Sequence, residues 1–398
     1  MSQQPGSGTG ANGPEELIGS FAAAMSHAVT VHCRGWPDDD GNLNEFEGLR
    51  QSIRLAAAGI VSFFESDPDY PELVKQQTLS RQVQLPSADA VYHYARLHGR
   101  NAYRIRGNRG TAHVFQVSAW NGSCSNLKDY RLVDKQDSDT TAELAPDREI
   151  DLVLSAKPQA GHWLRLPEGE CEIFVRQYYA DWESERPAML TIEREGATYP
   201  RPPPTPEAIA QRLAMVADWL RTQSGYFEKS IRFHLSTEPT TLPQLPIPEA
   251  FQDNVYLNGH YRCRADQAVI LEVTPPTAVY WGFQLANLQW EAMEYHERQT
   301  SLNFRQATLD ADGRLRIVIS HGDPGVPNWF DTSGRTLGLL SGRYYKATSV
   351  PLPKLAIVPF TDLRNHLPVD TPFVPLEERQ AALRRRRQSA FRRLCGDQ

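Results

Sequence analysis

The chain has 398 residues, enough for two domains with sizeable cores, and its formal charge of -6 gives no general reason to expect nucleic acid or an anionic surface as partner. Charged residues at 23% and hydrophobic ones at 40% describe an ordinary soluble protein, while 29 prolines argue for many loops and against long uninterrupted helices. Five scattered cysteines (Cys33, Cys124, Cys171, Cys263, Cys395) form no CxxC pair, which fits a reducing compartment and neither a disulfide framework nor a zinc knuckle.

Residues 1–13 are rich in Gly, Ser and Gln, without the basic and apolar regions of a signal peptide, and predict a disordered tail. A helical region is expected over 14–85. Its first stripe is Leu17, Phe21, Ala24, Met25 and Ala28, a polar loop runs through Asp38-Asp-Asp-Gly41, and its second stripe is Leu49, Ile53, Ala56, Ile60 and Phe63, stopped by Pro68 and Pro71. The apolar run 55–64 is too short to span a bilayer, so no membrane is expected and the localisation is read as cytoplasmic. These helices are expected to cover one side of a first β-domain over 86–200.

In that domain Tyr103 to Ile105, the turn Gly107-Asn-Arg-Gly110 and residues 111–118 read as strand, turn and partner strand. Ile150, Leu152 and Leu154 alternate, as do Cys171, Ile173 and Val175, and residues 189–192 close the set. Arg201-Pro-Pro-Pro204 opens a stiff linker over 201–250. There Thr205 caps a helix with Pro206 at its first position, Ile209, Leu213, Val216 and Leu220 form its apolar face, and Gly225 reads as its stop. The helix is expected to bridge the two domains.

A second β-domain is predicted over 251–360, with Val269, Leu271 and Val273 alternating, then Val279, Trp281, Phe283 and Leu285. Leu302 and Phe304, the turn Asp310-Ala-Asp-Gly313, and Leu315, Ile317 and Ile319 read as a hairpin. Residues 361–398 carry a C-terminal helix ending in Arg384-Arg-Arg-Arg387, Arg392 and Arg393, read as a solvated helix end. The fold class is thus mainly β with flanking helices: two antiparallel β-sandwich (jelly-roll-like) domains joined by a helical linker. Two β-domains of similar size leave a remote duplication open.

Two clusters carry most of the specific-looking chemistry. If the strand through Ile319 runs on two residues, parity turns His321 inward at the sheet end, where Asp323, Asn328, Trp329 and Asp331 follow in a loop stiffened by Pro324, Gly325 and Pro327. Asn328 and Asp331 also suit Asx turns, with Trp329 plugging the sandwich end. One His and two carboxylates lack a fixed ligand spacing, so no metal is assigned. In the second cluster Arg176 and Tyr178 share the face opposite Ile173 and Val175, and Asp181, Trp182 and Glu185 follow in a turn, with Arg176 and Arg186 as ion-pair partners in the plainer reading. Cys124 has no adjacent base and reads as an inert thiol.

Three segments resemble a known family. GDPGVPNWFDTSGRTLGLLSGRYYKA is similar to the C-terminal signature of bacterial proteins carrying domain of unknown function 1214, a Pro-Asn-Trp-(Leu/Phe)-Asp turn before a Gly-rich strand ending in Arg. YRIRGNRGTAHVF and FVRQYYADWESERPAMLTIER are similar to segments of its longer members. The resemblance covers most of residues 15–350 and implies two β-sandwich units, discussed in connection with carbohydrate processing but without an established activity. Where members carry Asn-Pro-Asp before the first strand, this chain has Pro86-Ser-Ala-Asp89, and only Asp89 matches.

The expected function is binding of a small polar, carbohydrate-like ligand in an interdomain or sheet-end cleft shared by both clusters, and the sequence leaves hydrolysis open. Asp323 or Asp331 with His321 would be the acid/base pair, with Arg176, Tyr178, Asp181, Trp182, Trp281, Asn328, Trp329 and Arg343 as ligand contacts. No cofactor is implied, and a homo-oligomer stays open. One alternative is an accessory enzyme of lipid or secondary metabolism, with an apolar pocket walled by Trp281, Phe283 and Trp329. Another is a non-catalytic assembly protein. The sequence has no P-loop, no GxGxxG after a strand, no GxSxG and no HExxH motif.

Overall fold

A computed structural model describes residues 13–37, 40–245 and 253–395, with Cys395 as backbone only. The expected tail over 1–12, Asp38 and Asp39 of the acidic loop, and the linker's end over 246–250 lie outside the described residues.

The first β-unit has strands β1 (Val74–Lys75), β2 (Ala90–His98), β3 (Tyr103–Asn108), β4 (Val114–Asn121), β5 (Arg131–Asp137), β6 (Glu149–Ser155), β7 (Trp163–Arg165), β8 (Glu170–Tyr178) and β9 (Met189–Arg194). The second has β10 (Asn254–Arg262), β11 (Gln267–Val273), β12 (Tyr280–Ala286), β13 (Ser301–Asn303), β14 (Leu315–Ser320), β15 (Trp329–Asp331), β16 (Leu337–Tyr345) and β17 (Lys354–Pro359). Each unit is a mainly antiparallel two-sheet sandwich.

The strand orders are β1-β2-β8-β4-β5 over β7-β6-β3-β9 in the first unit, and β10-β16-β12-β13 over β15-β14-β11-β17 in the second. Apart from β1, the units have one topology. β2 to β9 map in order onto β10 to β17, including the parallel pairs β6–β7 and β14–β15.

Register extends the match to single residues. Tyr92 opposes Arg176 where Tyr256 opposes Arg343, and Gln116 opposes Arg176 where Gly282 opposes Arg343. Just outside the strands, the Tyr179 amide donates to the Asp89 carbonyl as the Lys346 amide donates to that of Asp253.

Period-two alternation builds both cores. Cys171, Ile173 and Val175 pack with Ile105, Val117 and Leu152 in one, and Trp281, Phe283 and Leu285 pack with Leu271, Ile317 and Leu340 in the other. Two expected hairpins are sheet crossings instead. β3 and β4 lie in opposite sheets, as do β13 and β14, so each turn carries the chain over the end of a sandwich. Alternation shows which side chains are buried but not which layer buries them.

Three helices form a layer beside the first unit: α1 (Pro14–Cys33), α2 (Leu43–Gly59, continued by a π turn Ile60–Phe64) and α3 (Pro206–Ser236). The Thr205 hydroxyl accepts from the Ala208 amide, closing the N-terminus of α3. Gly225 does not stop α3. Its apolar face runs on through Phe227 and Ile231, which pack on Leu288 and Leu339 of the second unit, while Val216 and Trp219 pack beside the first. One glycine weakens a helix by about 1 kcal/mol, far less than that burial returns.

The expected stripe of α2 is rotated. Leu49, Ile53 and Ile60 are exposed, and Gln51, Ser52, Leu55, Ala58 and Gly59 face inward. Gly48 sets this face: a Cβ there would sit 2.4 Å from the His32 carbonyl oxygen, so α1 packs directly on its backbone.

The C-terminal helix, α4 (Leu376–Cys395), is not a solvated basic end throughout. Arg384, Arg385 and Arg387 are exposed, but Arg379, Arg386 and Arg393 recur every seven residues and face inward. Arg379 lies over the Trp329 ring at 5.3 Å, while Arg386 and Arg393 lie over the Trp182 ring at 4.4 and 3.9 Å. Cation–π stacking thus fastens the helix to both units.

Candidate functional site

The face of β8 opposite its core carries Glu172, Phe174, Arg176 and Tyr178. It is covered partly by the helical layer and partly by β10, β12 and β16. The equivalent strands of the two units meet here: Tyr178 stacks on Tyr280 at 5.0 Å and lies 5.9 Å from Tyr345. Asp89, 3% exposed, is held in the interface by Trp182 Nε1 at 2.6 Å, the Tyr280 hydroxyl at 2.6 Å and Asn303 Nδ2 at 2.8 Å.

Where the helices and both units meet there is a cavity of about 160 Å³. Arg176 and Arg343 form its cationic wall, and Phe174, Trp120, Tyr130 and Trp219 its aromatic body. Among the described residues neither arginine pairs with a carboxylate. Arg343 donates through one nitrogen to the hydroxyls of Tyr178 (3.0 Å) and Tyr92 (3.3 Å), and Arg176 donates to Gln116 Oε1 (3.1 Å) while its Nε has no partner. Each guanidinium also lies over the tyrosine across the strand pair, Arg176 over Tyr92 at 5.5 Å and Arg343 over Tyr256 at 4.9 Å.

Burial disfavours the charge of Arg343, but the phenols of Tyr178, Tyr256 and Tyr92 outweigh it, and its pKa stands well above the ordinary guanidinium value. Burial likewise pushes the Tyr92 phenol up, yet Arg343 and Arg176 bring it below the ordinary value. At neutral pH the wall holds two positive charges and polarised hydroxyl donors.

Among the described residues the cavity lining contains no Asp or Glu. Glu172 sits just behind it, fully buried, accepting from the Tyr94 hydroxyl, Ser123 Oγ and the Cys124 amide, and burial raises its pKa. Burial, then Glu172, raises the Cys124 thiol well above its usual range, which leaves it poorly nucleophilic. Backbone strain clusters along this lining. Gln84, Leu85 and Leu127 line the cavity and Asp129 adjoins it, all with left-handed φ of 52–55°.

The expected site residues divide among several places. Arg176, Tyr178 and Arg343 come together at this interface. Asp181 and Trp182 turn away to a separate open groove of about 770 Å³ between the 180–185 turn, the 299–306 segment and α4. Asp181 accepts from Ser184 Oγ, its main pKa-lowering contact, and the Glu185 carboxylate, raised by burial, accepts from the amides of Ala180, Asp181 and His113. The expected ion pairs also differ: Arg186 pairs with Asp147, and Arg176 with no acid among the described residues.

Trp281 belongs to the second core. β14 stops at Ser320, one residue short of the extension that would turn His321 inward, so its half-buried ring instead bonds the Cys263 carbonyl through Nε2 at 2.7 Å. Asp323 accepts from the Gly325 amide and pairs with Arg379 at 2.9 Å, and Asp331 accepts from the Ser333 amide and pairs with Arg298 at 2.6 Å. Asn328 makes three bonds to the backbone of Thr308 and Arg316, and the buried Trp329 indole donates to the Ser320 carbonyl. These groups are engaged within the fold, and α4 and Gln299 lie between Trp329 and Trp182. Among the described residues no group of three His, Cys, Asp or Glu is placed to hold a metal.

Sequence reading missed Tyr92, Tyr256 and the aromatic body. The available signal was a repeated Arg-x-Tyr step, Arg176-Gln-Tyr178 and Arg343-Tyr-Tyr345, ending one strand in each unit.

Residues 257–349 match the family described as "Protein of unknown function (DUF1214)". The second β-unit carries the DUF1214 match. No curated protein matches the chain. Among solved structures, an uncharacterised protein from Burkholderia cenocepacia is similar at 27% identity and a TM-score of 0.80, over 87% of this chain and 97% of that one. A Vibrio parahaemolyticus protein aligns over 85% of this chain and 100% of its own at 9% identity and a TM-score of 0.46. The DUF1214 match includes Arg343, the rest of β10 from Leu257 and the Pro327–Asp331 turn, whereas Tyr256 and Arg176 lie outside it. Among the described residues no helix is long and apolar enough to cross a membrane.

Proposed function

We propose that the protein binds a small organic anion in the cavity between its two β-units. One observation carries this reading: two guanidiniums, equivalent in the two units, converge on a cavity where, among the described residues, no carboxylate neutralises them. Buried charges are ordinarily paired, because an unpaired one forfeits its hydration. Here the missing counter-charge is what a ligand would supply, and each arginine keeps hydrogen-bond capacity free for it. Strained backbone in the lining and aromatic walls are further support.

The reading keeps the expected small polar ligand and interdomain position. It does not extend to carbohydrate hydrolysis, since that chemistry needs two carboxylates facing the substrate and the described lining supplies none.

Thermal unfolding in low-chloride buffer, with acetate, phosphate, sulfate and benzoate as probes, tests the proposal. A ligand at about 100 times its Kd stabilises the native state by about 2.7 kcal/mol, so at least one anion should raise Tm by several degrees. The rise should vanish in Arg343→Met. Equal shifts in wild type and Arg343→Met, or no shift with any probe, would overturn it.

A further inference from the structure

Resting on that reading, we infer that the ligand is a single-ring aromatic carboxylate of about the size of benzoate. The cavity wall has two chemically different parts. Arg176, Arg343 and Tyr92 present N–H and O–H donors on one, and rings dominate the other: Trp120 stacked on Tyr130 at 5.1 Å, with Phe174 and Trp219, to which Gln76, Gln77 and Gln84 add side-chain amides. A ligand filling both must carry its charge at one tip of an apolar body.

Volume limits that body. A cavity of roughly 150 Å³ holds one benzene molecule, and this one measures about 160 Å³. A single ring therefore fits within it.

The donors favour carboxylate as the charged group. A planar guanidinium matches a planar carboxylate in a two-bond fork. Phosphate sites typically add convergent backbone amides at a helix start or a glycine-rich loop, whereas the charged donors lining this cavity are the two side-chain forks. The rings supply the second selection, since offset or edge-on aromatic contacts favour an aromatic ligand over a saturated one of equal size.

Calorimetric titration of the wild-type protein with benzoate, benzamide, cyclohexanecarboxylate, acetate and phosphate tests this, with quenching of tryptophan emission as a second readout because Trp120 and Trp219 line the cavity. Benzoate is expected to bind at least tenfold more tightly than benzamide, its neutral isostere, or acetate, and about threefold to tenfold more tightly than cyclohexanecarboxylate. Phosphate or acetate binding as well as benzoate, with loss in Arg343→Met, would overturn the aromatic carboxylate and leave the anion site standing. Benzoate binding unchanged in both Arg176→Met and Arg343→Met would overturn the site itself. Because the isostere series uses unmodified protein, the inference can be tested even if a variant fails to fold.

Discussion

The two β-units share strand order, parallel pairs and the arginine–tyrosine pairing across equivalent strands, yet their equivalent residues live in different surroundings. Arg176 has Gln116 opposite it on the third strand and bonds that amide at 3.1 Å. Arg343 has Gly282 there and reaches across to Tyr92 and Tyr178 of the first unit. A Cβ at position 282 would meet the Tyr280 hydroxyl at 2.7 Å, so the glycine leaves room for the Tyr280–Asp89 contact. One topology thus supplies two cations, and local differences decide which is held by its own unit and which spans the interface.

The aspartates before the first equivalent strands give the sharpest test of that contrast. Asp89 is buried under three side-chain donors, while Asp253 is partly exposed and pairs with Lys135 across the units. Asp89→Ala is expected to cost about 3–5 kcal/mol in urea unfolding, because it strands buried donors and removes the carboxylate nearest the buried Arg393. Asp253→Ala should cost under about 1 kcal/mol. Equal losses would mean that the interface does not distinguish its two halves.

The helical layer breaks the likeness in another way, and pH exposes it. His32 is buried against Gln289 of the second unit, and burial lowers its pKa to about 4. Between about 6.5 and 4 the unfolded chain binds this proton and the folded chain does not. Stability should therefore fall as pH drops through that window, by up to about 3 kcal/mol, and be unaffected by this group above it. The difference between the stability–pH curves of wild type and His32→Asn isolates the contribution, and a difference flat from pH 7 to 4 would contradict it.

The smallest expected effect concerns the ligand-free site. Exchanging either unpaired arginine for methionine should change stability in urea by less than about 1 kcal/mol, because relief of desolvation offsets lost stacking. A loss above about 2 kcal/mol would assign the arginines to holding the units together.

Parity along β8, β11, β12 and β14 was legible from sequence, as were the Thr205 cap and the turn bond of Asp331, because each depends on residues a few positions apart. Gly225 misled because tertiary burial of Phe227 and Ile231 outweighs a local weakness. The arginines of α4 misled because their aromatic partners, Trp182 and Trp329, come from elements far away in the chain.

By itself the sequence determined two alternating β-cores, the helix between them and the outward face of Arg176 and Tyr178. Only the tertiary structure decided that this face meets Arg343 from an equivalent strand and encloses a cavity. Strand periodicity is a local property of the backbone, whereas the partner of an outward-facing side chain is set by how two finished units pack.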